Sequence, residues 1–295
     1  MLSILCIENM NSISKITIIT AFFDIGRGNW SKDHGHPSYL KRTTEKYFDY
    51  FSNLSKLDNP IVVFCSSEHV DKIKKIRKEK PTKIIVIDFQ EKFKKCRVKI
   101  EKIQDSEEFK AKINADQLKN PEYWSPDYVL VNNLKSYFVK RAITELNLKS
   151  DMIAWVDFGY CRDENTLNGL TTWEVNLDPT KVHFFTIKNK FKITEESVSY
   201  ALLNNIPYII GGVIIASKDN WSLFSELVLS CQKKLLEKNI VDDDQGVYLM
   251  CLLKKKEIFQ LNYLGKNKWF DVFKKYDKNS KVSFKDKLKK ILHIY

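Results

Sequence analysis

Short apolar runs alternating with amphipathic stretches are the sequence feature that most constrains the fold. Six runs rich in β-branched and aromatic residues predict strands, at 15–23, 61–65, 83–89, 152–158, 183–187 and 208–216. Other stretches repeat apolar residues at helical spacing and predict helices, at 38–57, 68–80, 127–146, 219–238 and 243–253. Strands that are apolar on both faces need cover on both sides. The alternation therefore predicts an α/β fold with a mostly parallel central sheet and helices on both faces.

Composition excludes several other classes of protein. With 43% hydrophobic and 13% aromatic residues among 295, the chain can bury a sizeable core, so global disorder is excluded. The six cysteines form no C-x-x-C pair, and neither a zinc site nor a disulfide framework is predicted. The longest apolar run, at 209–216, is far short of the roughly 20 residues that span a bilayer, and we find no leader peptide. We expect a cytoplasmic protein.

The net charge of +12 is concentrated in two segments. Residues 71–102 carry 13 basic and 5 acidic side chains, and residues 266–295 carry 10 and 3. Such surfaces suit an anionic membrane, nucleic acid or an anionic substrate, or they are simply solvated lysine-rich faces. The first segment holds only two aromatic residues, Phe89 and Phe93, for stacking on bases, so we expect no nucleic-acid partner.

The second basic segment predicts a separate C-terminal part. We divide the chain into a catalytic domain at 1–265 and a basic amphipathic appendage at 266–295. In the appendage, one helical face carries Phe284, Leu288, Ile291, Leu292 and Tyr295. That pattern predicts a helix that either lies on the anionic inner face of the cytoplasmic membrane or packs on the catalytic domain.

Polar residues follow the first predicted strand, where ligands bind in open α/β sheets. Gly26 lets the backbone approach a ligand, Arg27 can pair with phosphate, and Trp30 can stack on a flat ring. Phe22 and Asp24 complete this candidate nucleotide-binding loop. The alternative is a tight surface turn with a half-buried tryptophan.

A single acid ends the fourth predicted strand. Asp157 follows a buried apolar run and precedes Gly159. A carboxylate there is costly unless it is paired, hydrogen-bonded or bound to a cation. A divalent ion bridging Asp157 to a diphosphate would neutralise a leaving group. The alternative is a buried aspartate that caps a neighbouring element.

Two further motifs are candidates for binding the acceptor, the molecule that would receive the transferred group. Gly211 and Gly212 lie inside a predicted strand, where glycine is expected when an acceptor, a sugar ring or a neighbouring helix must come close. Next to a predicted helix start, Asp242 is expected to cap the helix, while Asp243, Asp244 and Gln245 are expected to face the acceptor, Asp243 or Asp244 as base.

These motifs, in this order, resemble the bacterial HtrL/YibB family over nearly the whole chain. The matching pieces are TAFFDIGRG at 20–28, YFDYF at 47–51, WVDFGYCR at 155–162, GGV at 211–213 and DDQ at 243–245. The family is associated with surface-polysaccharide gene clusters and looks like a group of GT-A-type glycosyltransferases. The resemblance thus implies a GT-A-like, Rossmann-like fold.

The resemblance also implies roles for single residues. Asp157 stands where GT-A enzymes carry the D-x-D motif that binds Mn²⁺ or Mg²⁺, and Asp244 where many carry a carboxylate near the acceptor. The second acid of D-x-D is absent here, since Gly159 stands in its place. Metal dependence is therefore an open question.

The favoured hypothesis is transfer of a sugar from a nucleoside-diphosphate sugar to lipopolysaccharide, lipooligosaccharide, capsule or another lipid-linked glycan. The alternative is a non-catalytic protein with a basic surface for nucleic acid or an anionic membrane. A Rossmann-type transferase is disfavoured because the first strand lacks the G-x-G-x-x-G fingerprint.

Overall fold

The computed structural model describes residues 4–7 and 16–278. Eight strands form one sheet, in the order β1-β4-β3-β2-β5-β7-β6-β8. The strands are β1 (Ile4–Ile7), β2 (Ile16–Phe22), β3 (Ile61–Cys65), β4 (Thr82–Val86), β5 (Met152–Val156), β6 (Val182–Thr186), β7 (Val213–Ser217) and β8 (Phe259–Tyr263). Six of them run in one direction, and β1 and β7 run against their neighbours.

Ten α-helices accompany these strands in the described part of the chain. They are α1 (Thr44–Leu54), α2 (Val70–Arg77), α3 (Phe89–Gln104), α4 (Glu107–Lys110), α5 (Pro126–Asn133), α6 (Lys135–Glu145), α7 (Glu195–Leu203), α8 (Lys218–Glu237), α9 (Asp244–Lys254) and α10 (Val272–Lys275).

The sheet separates two apolar cores, as strands buried on both faces require. Within β2, Ile18 belongs to one core and Ile19 to the other, because successive side chains point to opposite faces. Helices α1, α2 and α10 cover the first face, and α3 and α5–α9 cover the second. The α/β class with a mostly parallel sheet is confirmed, and this architecture agrees with the GT-A-like class.

Three predicted elements need correction. The single helix expected at 127–146 is two helices, which meet at Leu134. The strand expected at 208–216 begins only at Val213, so Gly211 and Gly212 lie in the turn before it. The charged stretch after β4, to which the sequence assigns no structure, is the 16-residue helix α3, whose cap Asp88 accepts a hydrogen bond from the Glu91 amide.

The first residues of the predicted appendage are part of the body of the protein. Val272 and Phe273 are buried, and Phe273 packs on Trp173 at 4.5 Å between ring centroids. The Tyr160 hydroxyl donates a hydrogen bond to the Trp269 carbonyl at 3.0 Å. Residues 269–273 therefore pack against the rest of the described chain. The amphipathic face from Phe284 to Tyr295 lies outside the described residues, and the division into two parts stays a prediction.

Candidate functional site

A cavity of about 320 Å³ opens at the carboxyl ends of β2 and β5. Its walls come from the loops after those two strands, the junction of α5 and α6, the turn before β7 and the start of α9. In an open α/β sheet this is the edge where ligands bind.

The cavity collects ten of the twelve residues that the sequence analysis singles out. They are Phe22, Asp24, Arg27, Asp157, Gly159, Gly211, Gly212, Asp243, Asp244 and Gln245. Motifs far apart in the chain thus meet in one place. Their individual roles stay predictions.

Gly26 and Trp30 do not line the cavity. Trp30 is buried, its ring packs edge-on against Trp124 at 4.8 Å, and the Arg27 guanidinium lies 5.0 Å from its centroid. The ring face is therefore taken, and Trp30 supports Arg27 instead of stacking on a ligand. Gly26 adopts φ of 77°, which permits the turn, and its amide donates to Asp24 Oδ1 at 2.8 Å.

Lys135 is the central residue that the sequence analysis misses. Its side chain is only 5% exposed, and its ammonium group lies 3.0 Å from Asp157 Oδ1 and 2.5 Å from Asp244 Oδ2. It also donates to the Gly211 carbonyl at 3.1 Å. Burial alone would lower the pKa of Lys135, but the charges of Asp157 and Asp244 outweigh it and raise the pKa above its ordinary value. The lysine stays charged and clamps the two carboxylates.

The position of Lys135 in α6 carries a signal that a sequence analysis can use. Phe138, Val139 and Ala142 form the buried face of this helix. Lys135 precedes them by three, four and seven positions and so lies on the same face. A lysine at the start of an apolar helix face implies a buried acidic partner.

The glycine pair is explained by the same carboxylates. A Cβ atom on Gly211 would lie 2.0 Å from Asp244 Oδ2, and one on Gly212 would lie 3.1 Å from the Tyr160 ring and 3.4 Å from Asp157 Oδ2. The Gly212 carbonyl accepts a hydrogen bond from the Asp157 amide at 2.8 Å, which fixes this turn beside the end of β5. The glycines thus allow the close approach of Asp157 and of Asp244, the first residue of α9, which agrees with the neighbouring-helix alternative.

The acidic triplet is arranged differently from the prediction. Asp243, not Asp242, is the N-cap of α9, and its Oδ1 accepts from the Gln245 amide at 3.0 Å. Asp242 is also engaged, through Oδ2 and the Gly246 amide at 2.9 Å. Asp244 lines the cavity, and its side chain is 3% exposed and pairs with Lys135.

Burial makes this cluster unusual in its protonation. It raises the pKa values of Asp242 and Asp243 well above their ordinary range, and repulsion from neighbouring carboxylates adds to the effect. Burial also raises the pKa of Glu122 to about 7, with Asp244 as a further contributor. Glu122 precedes α5 and is a second residue that the sequence analysis misses. The single positive charge of Lys135 therefore cannot neutralise all the buried carboxylates of this cluster.

The donor set around Asp157 does not fit the divalent cation that the family resemblance implies. Asp157 Oδ1 accepts from Trp155 Nε1 at 2.7 Å and from Lys135, which leaves Oδ2. The two oxygens of Asp24 accept from the Gly26 amide and from Thr44 Oγ1. Protein sites for Mg²⁺ use one or two carboxylates with waters and phosphates, and here the one carboxylate is already neutralised by the Lys135 ammonium at 3.0 Å. In the described part of the chain, no three His, Cys, Asp or Glu side chains are grouped to hold a metal.

The protein also has an arginine cluster, which we define as Arg27, Arg42 and Arg162. Arg27 and Arg162 line the cavity. Burial lowers the pKa of Arg42 from its ordinary value, and the positive charges of Arg162 and Arg27 lower it further. The three guanidinium groups are therefore close enough to repel one another. Arg162 lies within a motif that the sequence analysis quotes, yet it is not among the predicted site residues.

Aromatic rings hold the two cavity arginines in place. Arg27 donates to the Tyr47 hydroxyl at 2.7 Å, and Arg162 lies 4.7 Å from the Tyr50 ring centroid. A Cβ on Gly159 would lie 2.9 Å from the Tyr47 ring, so glycine there makes room for that ring. Phe22 is buried and stacks on Phe158 at 4.9 Å, which makes it part of the support under this wall.

Fold and site together define an α/β protein with a charged cavity at the carboxyl edge of its sheet. Residues 14–278 match the model of the HtrL_YibB family, described as a bacterial protein of unknown function. Protein HtrL of Escherichia coli (strain K12) is 47% identical over 268 residues, which cover 90% of this chain and 94% of that protein. The chain belongs to the HtrL/YibB family, as its motifs predict.

Among solved structures, the chain is similar to the apo form of mouse xyloside xylosyltransferase 1. The two share 11% sequence identity, with a TM-score of 0.38 and coverage of 84% of each chain. A likeness this weak assigns no activity to the present chain.

Proposed function

We propose that the chain is a glycosyltransferase that moves a sugar from a nucleoside-diphosphate sugar to a lipopolysaccharide, capsule or other lipid-linked glycan acceptor. The observation that carries the proposal is the cavity, which is lined both by arginines and by carboxylates that Lys135 and backbone amides hold in place. Arginines suit the diphosphate, and carboxylates suit the hydroxyl groups of sugars.

The donor half of the site uses the loops after β2 and β5. Arg27 and Arg162 bind the diphosphate, each from a fixed orientation. Asp157 is 37% exposed and accepts hydroxyl hydrogen bonds from the donor sugar through Oδ2, the oxygen that Lys135 and Trp155 leave open. Lys135 acts as a positioning residue for Asp157.

The acceptor half uses the start of α9. Asp243 takes the proton of the acceptor hydroxyl while that oxygen bonds to the sugar carbon and the bond to the diphosphate breaks. Because burial raises the pKa of Asp243, this carboxylate is a stronger base than an exposed one. Gln245 Oε1 is buried without a hydrogen-bond partner among the described residues, so it can accept a bond from the acceptor. Asp244 is held by Lys135 and positions this end of the helix.

Two observations bear on the partner. Phe89 and Phe93, the aromatic residues of the basic segment 71–102, are buried in the core, which favours an enzyme over a nucleic-acid-binding module. Within the part of the chain that the structure describes, no helix has the length and apolarity to span a bilayer. We assign the basic segments to docking on an anionic inner-membrane face that carries the acceptor.

Asp157 provides the decisive test. Asp157→Asn keeps the shape of the side chain but removes its negative charge. It therefore weakens the hydrogen bonds to the donor sugar and the ion pair with Lys135. We expect sugar transfer to fall at least a hundredfold, with the fold intact by circular dichroism. Asp151→Asn, an exposed acid just before the same strand, is the matched control and should retain full activity. Near-normal turnover in Asp157→Asn would contradict the assignment of the donor site to this cavity.

Ligand binding tests the substrate class before any acceptor is known. UDP, GDP and ADP are screened by thermal shift. A nucleotide at 100 times its dissociation constant should stabilise the protein by about 2.7 kcal/mol. Absence of a shift with all three would contradict a nucleoside-diphosphate donor.

A further inference from the structure

The arginine cluster is a set of cations without anions. Among the described residues, none of its three members forms an ion pair with a carboxylate. The Nε atoms of Arg27 and Arg162 are buried and have no hydrogen-bond partner there. Two arginines that line a cavity without a carboxylate partner among the described residues favour the binding of an anion there.

The guanidinium groups are oriented without help from a counterion. Arg27 donates to the Leu40 carbonyl at 3.0 Å as well as to Tyr47, and its ring contacts include Tyr128 at 5.7 Å. Arg162 lies between the rings of Tyr50 and Phe270, at 4.7 and 5.4 Å. The groups are thus preorganised, which lowers the cost of ordering them on binding.

Crowding of like charge points to a ligand with more than one negative charge. Arg42 is half-buried, and its charge is opposed by those of Arg162 and Arg27. A polyanion between them would relieve this repulsion and repay the burial of each cation. Arginine also matches phosphate oxygens through two donors at once.

We infer that Arg27 and Arg162, which line the cavity and have Arg42 beside them, form its diphosphate subsite and neutralise the leaving group in place of a divalent metal. This inference rests on the proposed function for the identity of the anion. It also accounts for the ion pair between Asp157 and Lys135. A carboxylate that is paired with a lysine is not needed to bind a metal ion beside the phosphates. Transfer by this chain should therefore proceed in the presence of a chelator.

The test measures the dissociation constant of UDP, GDP and ADP by calorimetry, once with EDTA and once with Mn²⁺. For the nucleotide that binds, we expect equal affinity in both buffers. Arg162→Gln should weaken binding at least tenfold, which is about 1.4 kcal/mol. The control is Lys149→Gln, an exposed lysine that removes the same charge away from the cavity and should bind as wild type. If Arg162→Gln fails to fold, Arg42→Gln takes its place.

The outcomes separate the inference from the proposed function. If the nucleotide binds only with Mn²⁺, and Arg162→Gln and Lys149→Gln have the same dissociation constant, the arginine subsite is overturned. The proposed glycosyltransferase function would still stand. Inorganic pyrophosphate that binds with arginine dependence, while no nucleotide binds, supports the anion subsite and overturns the proposed donor. Binding of nucleotide in EDTA, lost in the arginine variants, supports both.

Discussion

The charged groups on the two walls of the cavity differ in whether they are paired. On one side Lys135 joins Asp157 and Asp244 in a buried contact, and a glycine turn is shaped around it. On the other side the arginine cluster has cations that no described carboxylate pairs with, supported by aromatic rings. The first wall already holds a cation between two of its carboxylates, whereas the arginines of the second have no carboxylate partner among the described residues. The difference separates charges that are paired in the folded protein from charges that are not.

The contrast predicts the largest effect for Lys135→Met. Removing the ammonium leaves Asp244 and Asp157 uncompensated in a buried place. We expect the free energy of unfolding at pH 7 to fall by about 3–5 kcal/mol, measured by urea denaturation. Lys140→Met is the matched control, because Lys140 lies on the same helix but forms an exposed pair with Glu226 and should cost under about 1 kcal/mol. Equal losses in both variants would mean that the clamp adds no stability.

A smaller effect is expected for Gly211→Ala. The added Cβ would lie 2.0 Å from Asp244 Oδ2, so the carboxylate or the turn must move. Overpacking of this kind costs about 1–3 kcal/mol. In Gly28→Ala the new Cβ meets nothing nearer than Thr43 Cα at 3.9 Å, and this control should be neutral. If Gly211→Ala instead keeps full stability and loses only turnover, the glycine serves the approach of the acceptor.

Glu122 tests whether the buried carboxylates exceed the positive charge that Lys135 supplies. Its folded pKa of about 7 lies above the ordinary value of 4.5. A raised pKa means that its contribution to stability is present below about pH 4.5 and is lost as the pH rises through about 7. Glu122→Gln should therefore reduce the loss of stability between pH 5 and 8 by on the order of 1 kcal/mol.

The control for Glu122 is Glu196→Gln, an exposed glutamate at the start of α7. Melting temperature is followed across the same pH range in all three proteins. A Glu122→Gln profile parallel to wild type would show that Glu122 ionises as freely in the folded as in the unfolded chain.

The sequence predicts six of the eight strands and misses β1 and β8. The strand Ile61–Cys65 is predicted to the residue, because a five-residue apolar run between Pro60 and Ser66 has no competing period. By contrast, apolar residues on both sides of Leu134 keep helical spacing through a break, at which Asn133 donates to the Asp242 carbonyl and accepts from Gln232. Positions on a single element are thus readable, whereas interruptions set by neighbours are not.

The site shows the same limit more strongly. The end of β5 and the start of α9 are recognised as functional from local motifs, and the cavity brings them together. The residue that joins them, Lys135, is 109 positions from Asp244. No local pattern specifies that pair. Likewise, Asp24 looks like a ligand in the sequence, but its oxygens are used by Gly26 and Thr44.

The smallest effect, and the one that most sharpens the comparison, is expected for Arg42→Gln without ligand. Arg42 is opposed by two other cations, so removing its charge relieves repulsion instead of breaking a pair. The melting temperature should stay within about 2 °C of wild type or rise slightly. Lys135→Met deletes a cation at the cavity and Arg42→Gln deletes one beside the cavity residue Arg27, and the contrast predicts a large loss for the first and none for the second. A clear loss of stability in Arg42→Gln would show that this arginine, too, is paired in the folded protein, and the two walls would then no longer differ in kind.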